Sequence, residues 1–201
     1  MDKKLYQNFR KPVGFGGRAV LKSMNQGHKP LRDWLFSAID FGASNEILDV
    51  GCGSGALIAD FVKNTSAEKI DGMDFSEESV KASKKMNKKE LGKRVNIYQA
   101  DITKTDFDNY EYDTVTARET VYFWPDVKAA FKEVYRILKP GGRFIIILEE
   151  CDKASDEMTH IIDGMVIYSK EELTSWLTEE GFSCKCHFAD NPHWLMVEAS
   201  K

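Results

Sequence analysis

The chain has 201 residues, a net charge of -4, 42% hydrophobic and 30% charged residues, a soluble globular balance with length for one domain and a real core. Acidic and basic residues are scattered, which argues against a nucleic-acid or membrane-surface partner, and no apolar run approaches the roughly 20 residues that span a bilayer. Met1 to Asn8 lack the apolar core of a secretion signal, so a cytoplasmic location is the expectation.

Residues 1–45 stand outside any regular alternation and are expected to be helical. A loose helix is predicted over Arg18–Asn25. An amphipathic one follows Pro30, with Leu31, Trp34, Leu35, Ala38 and Ile39 on one face. From residue 46 strands and helices alternate. Glu46–Val50 is a buried strand, Ala56–Lys63 a helix after a glycine-rich turn, and Lys69–Asp74 a second strand. Ser76 caps the next helix, with Glu77 and Glu78 in its first turn and Gly92 as its stop. Strands are predicted at Val95–Gln99 and Tyr112–Thr116. A helix then starts near Pro125, carries Val127, Ala130, Phe131, Val134, Ile137 and Leu138 on one face, and ends at Pro140-Gly141-Gly142. Phe144–Leu148 is the continuous apolar run of a central strand covered on both faces. Ser169 and Glu172 form a capping box for a helix closed by Gly181. Two last strands, 182–188 and 194–199, are joined too tightly for a crossover helix and pair antiparallel. Alternation of this kind predicts a single α/β domain over 1–201, a mainly parallel sheet with helices on both faces.

The four cysteines form no CxxC and no zinc-spaced Cys/His cluster. Cys184 and Cys186 share one strand face as small half-buried residues.

The densest chemical signal is Leu48-Asp49-Val50-Gly51-Cys52-Gly53-Ser54-Gly55. A strand runs into a three-glycine turn and then directly into a helix, so bare backbone and unpaired N–H groups meet a ligand. Gly51-x-Gly53-x-x-Ala56 also fits a dinucleotide fingerprint. The third glycine comes one position early for that, however, and Asp49 suits a ligand carrying an ammonium and a sulfonium. Asp74 ends the second strand and is placed to accept ribose hydroxyls or to cap the helix after Phe75. Asp101 follows the third strand, placed for an adenine amino group or a plain turn, with Ile102 able to pack on a ring.

As a set, these residues resemble motif I and the nucleoside-binding positions of class I S-adenosylmethionine-dependent methyltransferases, and Leu138-Lys139-Pro140-Gly141-Gly142 resembles a further signature of that family. The resemblance runs from about residue 46 to the end. It implies a three-layer Rossmann-like fold of seven strands, the last inserted antiparallel, with residues 1–45 as a helical cover. It implies S-adenosylmethionine held by Asp49, Gly51, Cys52, Gly53, Gly55, Asp74, Phe75, Asp101, Ile102 and Arg118. The N-terminal segment and Glu119–Asp126 resemble a small-molecule subgroup. After the fourth strand there is neither the Asn/Asp-Pro-Pro-aromatic run of enzymes acting on nucleobase amines nor a Pro-Cys nucleophile, so a small-molecule O, S or N acceptor is expected, handled by a monomer or homodimer. Glu119, Tyr122 and His28 are the candidates for proton removal or substrate orientation. Glu119 with Glu149 or Glu150 would offer hard oxygen ligands, but the expected Asp-Asn pair is missing after strand five and no metal is predicted. Two alternatives stand beside this reading: a non-catalytic S-adenosylmethionine binder and an NAD(P)-dependent oxidoreductase. Gly14, Gly16 and Gly17 around Phe15, followed by Arg18, Met24, Asn25 and His28, suggest that residues 9–28 are a mobile cover over the site.

Overall fold

The computed structural model describes residues 3–151 and 159–201, with backbone alone at 3–5 and 15, so the Phe15 side chain lies outside the described ones. Three helices open the chain, α1 (Lys3–Arg10), α2 (Gly14–Gly27) and α3 (Lys29–Ala38). Then β1 (Glu46–Val50), α4 (Ala56–Asn64), β2 (Lys69–Asp74), α5 (Glu77–Met86), β3 (Val95–Gln99) and β4 (Tyr112–Arg118) follow in alternation. A short 3-10 turn, Val121–Phe123, leads to α6 (Val127–Ile137), β5 (Leu138–Leu148), α7 (Lys170–Glu180), β6 (Ser183–Phe188) and β7 (Leu195–Ser200).

The seven strands lie in the order β3-β2-β1-β4-β5-β7-β6. The first five are parallel, and β7 slots antiparallel between β5 and β6. Side chains alternate across the sheet and build two cores. Phe144, Ile146 and Leu148 pack with Val127, Phe131 and Leu173 of α6 and α7. Ile145 and Ile147 pack with Leu31, Leu57 and Phe61 of α3 and α4. All five residues of that run are fully buried, so a strand without polar alternation is what two covered faces require. Among the described residues no helix is long and apolar enough to cross a membrane.

Several boundaries differ from the sequence reading. The α5 helix ends at Met86, well before Gly92, because Asn87 turns its side chain to the carbonyl of Gly55 at 3.1 Å. Pro125 sits outside α6, whose cap is Asp126, accepting from Ala129 N–H at 2.9 Å. The α6 helix stops at Ile137, and Pro140-Gly141-Gly142 lies instead in an irregular opening of β5, where the register shifts against Tyr112–Thr114. The α2 helix is longer than predicted, and α1 was not predicted at all. The expected capping box of α7 and its αL close at Gly181 are both present. Cys184 and Cys186 are free and half-buried.

Candidate active site

The loop after β1 is bound to the end of β2 by backbone. Gly51 and Cys52 N–H both donate to the carbonyl of Met73, at 2.8 and 3.0 Å. Gly53 N–H donates to Asp74 Oδ2 at 2.9 Å. All three loop glycines have positive φ: 69° at Gly51, 54° at Gly53 and 79° at Gly55. Their surroundings differ. A Cβ at Gly51 would fall inside the Thr120 side chain, and one at Gly55 inside Ser83 and Asn87. A Cβ at Gly53 would meet Leu21 Cδ2 at 3.8 Å and otherwise project into open space.

That open space belongs to a cleft above the carboxyl ends of β1, β2 and β3, where the sheet order reverses and α/β ligands bind. Its first lobe, about 230 Å³, is walled by Gly51, Met73, Asp74, Phe75, Asp101, Ile102 and Trp124. A narrower lobe, about 60 Å³, runs past Gly53, Ser54, Arg118 and Glu119, roofed by Phe9, Leu21, Met24 and Asn25 of the N-terminal helices. Asp74, Phe75 and Gly51 line both lobes. A third chamber, about 440 Å³, lies beyond, among His28, Glu119, Tyr122, Glu149, Met165 and Trp194. Phe9, Met24, Glu119 and Phe123 line both the narrow lobe and this chamber, so Glu119 stands at the seam.

The charges around the seam are arranged unusually. Arg118 Nη1 donates to His28 Nδ1 at 2.6 Å. Burial, then the charges of Arg118 and Arg32, hold His28 down to about 3, so the ring is neutral and its one proton is on Nε2, 3.7 Å from Glu149 Oε2. Glu119 has a positive φ of 56°, rare for a residue with a Cβ. Its Oε1 accepts from Glu149 N–H at 2.5 Å and from Tyr122 O–H at 3.2 Å. Burial and the neighbouring Glu149 push Glu119 up to about 8. Tyr122 is buried. Its hydroxyl is bonded to the carbonyl of Glu150 at 2.7 Å and the N–H of Glu150 at 3.0 Å, and burial raises its phenol well above the ordinary range. Beneath the cleft, Asp49 accepts from Thr116 Oγ1 at 2.8 Å, with burial raising its carboxyl to about 6.

The shift at Glu119 makes stability depend on pH with a definite sign. The folded chain keeps a proton on Glu119 up to about 8, whereas an unfolded carboxyl loses it near 4.5. Stability contributed by this group therefore falls as pH rises through that window. Glu119→Gln imitates the protonated state, so it should melt with the parent near pH 5 and above it near pH 8.5. Thermal melts at both pH values check this; a gap that fails to widen with pH contradicts the shift.

Of the predicted site residues, Gly51, Gly53, Asp74, Phe75, Asp101, Ile102 and Arg118 reach the cleft walls, while Glu119, Tyr122 and His28 meet at the chamber. Asp49, Cys52 and Gly55 stand behind the wall. The Cys52 side chain turns into the core packed on Leu57 and Ile58, leaving its backbone alone to face a ligand. Asp101 accepts from Thr103 N–H at 2.9 Å and still borders the first lobe, so its turn role and a ligand role coexist. Sequence reasoning did not single out Thr120 or Phe123, while Phe9 and Arg10 fall within the predicted 9–28 cover.

The cleft fits S-adenosylmethionine by the chemistry of its donors. Asp74 is an acceptor between two lobes, Asp101 and Ile102 bound one end, and Arg118 Nε, buried and unpartnered, is a spare cationic donor at the other. His28, Glu119 and Glu149 place three ligand atoms within 4.8 Å of one another. Arg118 can only donate, however, which leaves the proton on the nitrogen that faces the carboxylates, and a protonated nitrogen does not ligate a metal.

Residues 48–146 match the model of a family described as methyltransferase domain. The chain is 33% identical over 102 residues to a demethylmenaquinone methyltransferase of Lactococcus lactis, a match covering 50% of this chain and 40% of that protein. It is 27% identical to the chloroplast 2-phytyl-1,4-beta-naphthoquinone methyltransferase of Arabidopsis thaliana, across 78% of this chain and 72% of that one. In three dimensions it is similar to a Haloferax volcanii methyltransferase solved with the Trm112 activator, with a TM-score of 0.81 and 18% identity over 90% of this chain and 93% of the other.

Proposed function

We propose that this chain, which belongs to the class I S-adenosylmethionine-dependent methyltransferases, methylates a small-molecule acceptor held in the chamber beyond Glu119. The observation that carries this is the seam: the cleft that fits the methyl donor opens into a separate chamber through Phe9, Met24, Glu119 and Phe123. When bound, S-adenosylmethionine supplies a methyl group already activated on a sulfonium, open to in-line attack. The protein's tasks are then to position the acceptor, exclude water and, where needed, take a proton. Glu119 is the carboxyl group at the seam, and it can do so once ionised, above about 8 or beside a cationic acceptor. Tyr122 acts as its brace, binding both Glu119 and the Glu150 backbone. His28 transmits the orientation of Arg118 to Glu149.

Of the predicted 1–45 cover, α1 and α2 roof the site, while α3 packs in the core against α4. Gln7 bonds Ile161 O at 2.9 Å and Asp163 N at 3.0 Å, and Arg10 Nη1 bonds Asp163 O at 3.0 Å. These few exposed or half-exposed bonds tie α1 across the chamber to the 161–164 segment, a connection weak enough to open and admit an acceptor. Relatives named for a demethylmenaquinone and a 2-phytyl-1,4-beta-naphthoquinone support a small-molecule acceptor rather than a macromolecular one.

Calorimetry with S-adenosylhomocysteine tests the cofactor half of the reading, with micromolar affinity expected, about -8 kcal/mol. Incubation with S-adenosylmethionine and pools of thiols, phenols, amines and carboxylates tests turnover by release of S-adenosylhomocysteine. Binding without release from any pool would favour a non-catalytic binder, and preferential binding of a nicotinamide dinucleotide would favour an oxidoreductase.

A further inference from the structure

We infer that the acceptor is a primary or secondary amine, bound through its nitrogen between the carboxylates of Glu119 and Glu149. This rests on the methyltransferase reading and narrows it. Three observations carry it.

The first is charge. Glu119 and Glu149 face the same chamber, and among the described residues neither has a lysine or arginine within salt-bridge distance. The neighbouring guanidinium, Arg118, sends its Nη1 bond to a neutral imidazole instead, and the contact of Glu149 is with that same ring. The two carboxylates feel the charge of nearby Arg118 but bond no cation; burial and their mutual repulsion outweigh that charge at Glu119, which holds a proton up to about 8. An ammonium between them would relieve both. The second is the wall. Phe9, Phe123 and Trp194 border the chamber together with Tyr122, and aromatic faces stabilise a cation near a carboxylate while accepting its hydrocarbon body. The third is position. Glu119 lines the chamber and the cofactor lobe together, held in a strained backbone conformation with a φ of 56° of the sort that persists where function requires it.

An alkylammonium has no lone pair and cannot attack until it loses a proton. Here one N–H proton passes to a carboxylate oxygen of Glu119. The freed lone pair forms the new N–C bond to the methyl carbon, and the breaking C–S bond leaves its electron pair on sulfur. An N-methylammonium, a neutral thioether and protonated Glu119 result, with one positive charge before and after. An alcohol would need a far stronger base than this carboxylate, and a thiol would have to ionise to a thiolate that the neighbouring Glu149 carboxylate repels.

The test uses the whole chain loaded with S-adenosylhomocysteine. Calorimetry compares 2-phenylethylamine, tryptamine and cyclohexylamine with the alcohol and thiol of each skeleton, and turnover is followed with S-adenosylmethionine. At least one amine should bind at least tenfold tighter than its alcohol and be methylated. Glu119→Gln and Glu149→Gln should each weaken that amine tenfold or more, and Glu149→Gln, at a residue lining the chamber but not the cofactor lobes, should leave S-adenosylhomocysteine affinity within about twofold. Methylation of the alcohols or thiols but not the amines would overturn the inference. So would amine affinity that ignores both substitutions, or no binding by any of the three amines. A chain that fails to bind S-adenosylhomocysteine at all would bring down the methyltransferase reading itself, and the inference with it.

Discussion

Replacing Asp74 by Asn or Ala should weaken S-adenosylhomocysteine by about 5- to 150-fold, the equivalent of about 1–3 kcal/mol of charge-assisted hydrogen bonding, and should lower the melting temperature too. The sequence left two roles open for this carboxylate, a ribose acceptor and a cap for the following helix. The structure assigns it backbone work on both oxygens: Oδ2 accepts from Gly53 N–H at 2.9 Å and Oδ1 from Ser76 N–H at 2.8 Å. Ser76 in turn caps α5 and donates to Pro12 O at 3.1 Å, so Asp74 couples the glycine loop, the helix and the cover. It also borders both lobes of the cleft, where its remaining lone pairs are available to a ligand. Asn cannot accept on both sides, because its amide group would oppose one of the two N–H groups. Asp74 is 7% exposed, so the orphaned donor costs about 1–3 kcal/mol, or about 2–4 °C of Tm per kcal/mol for a domain this size. Calorimetry and thermal melting together separate the roles. A variant that melts lower but binds as before would leave Asp74 a brace alone.

Much of this was legible because the core is built from long, uninterrupted signals. The first three strands fall at the predicted bounds, β1 and β2 almost wholly buried and β3 half-exposed at the sheet edge. The errors cluster where tertiary contacts override local preference. Gly14, Gly16 and Gly17 read as backbone freedom for a mobile cover, and they lie inside α2. A Cβ at Gly17 would collide with the backbone of Pro12, so that glycine marks a close approach between segments. The α1 helix is only eight residues long with three apolar positions, too short a run for its helical period to be read, and its Tyr6–Phe9 stack at 6.0 Å is visible only in three dimensions. At the site, the residues of the glycine turn and the strand ends were readable from spacing. The pairing of Arg118 with His28 was not, because 90 residues separate them and no local rule joins a helix cap to the end of β4. Glu149 was visible only as a ligand candidate. Its meaning depends on Tyr122 and Glu119 holding the neighbouring backbone.

Gly53→Val should abolish detectable S-adenosylhomocysteine binding, a loss of at least about 100-fold, while the chain still folds. The three glycines of the turn would be interchangeable if positive φ were their whole purpose, and the structure separates them. At Gly51 and Gly55 a side chain would strike Thr120, Ser83 or Asn87 within the protein, so substitution there damages the fold first and says little about a ligand. At Gly53 the protein leaves room: Leu21 Cδ2, at 3.8 Å, is in ordinary contact range, and the rest of the space is the narrow lobe of the cleft. A valine there fills most of a passage of about 60 Å³ with a branched side chain that a ligand cannot pass. The backbone cost is separate. A φ of 54° in an L-residue with a Cβ costs about 1–2 kcal/mol, a few degrees of Tm at this size. Gly53→Ala gives the intermediate case, without the extra strain of a β-branched residue at positive φ and with a smaller intrusion, so the loss of affinity should grow from Ala to Val by more than the added drop in Tm accounts for. Affinity that follows Tm in both would mean that strain alone is at work; full affinity in a folded Gly53→Val would place the ligand elsewhere than this lobe.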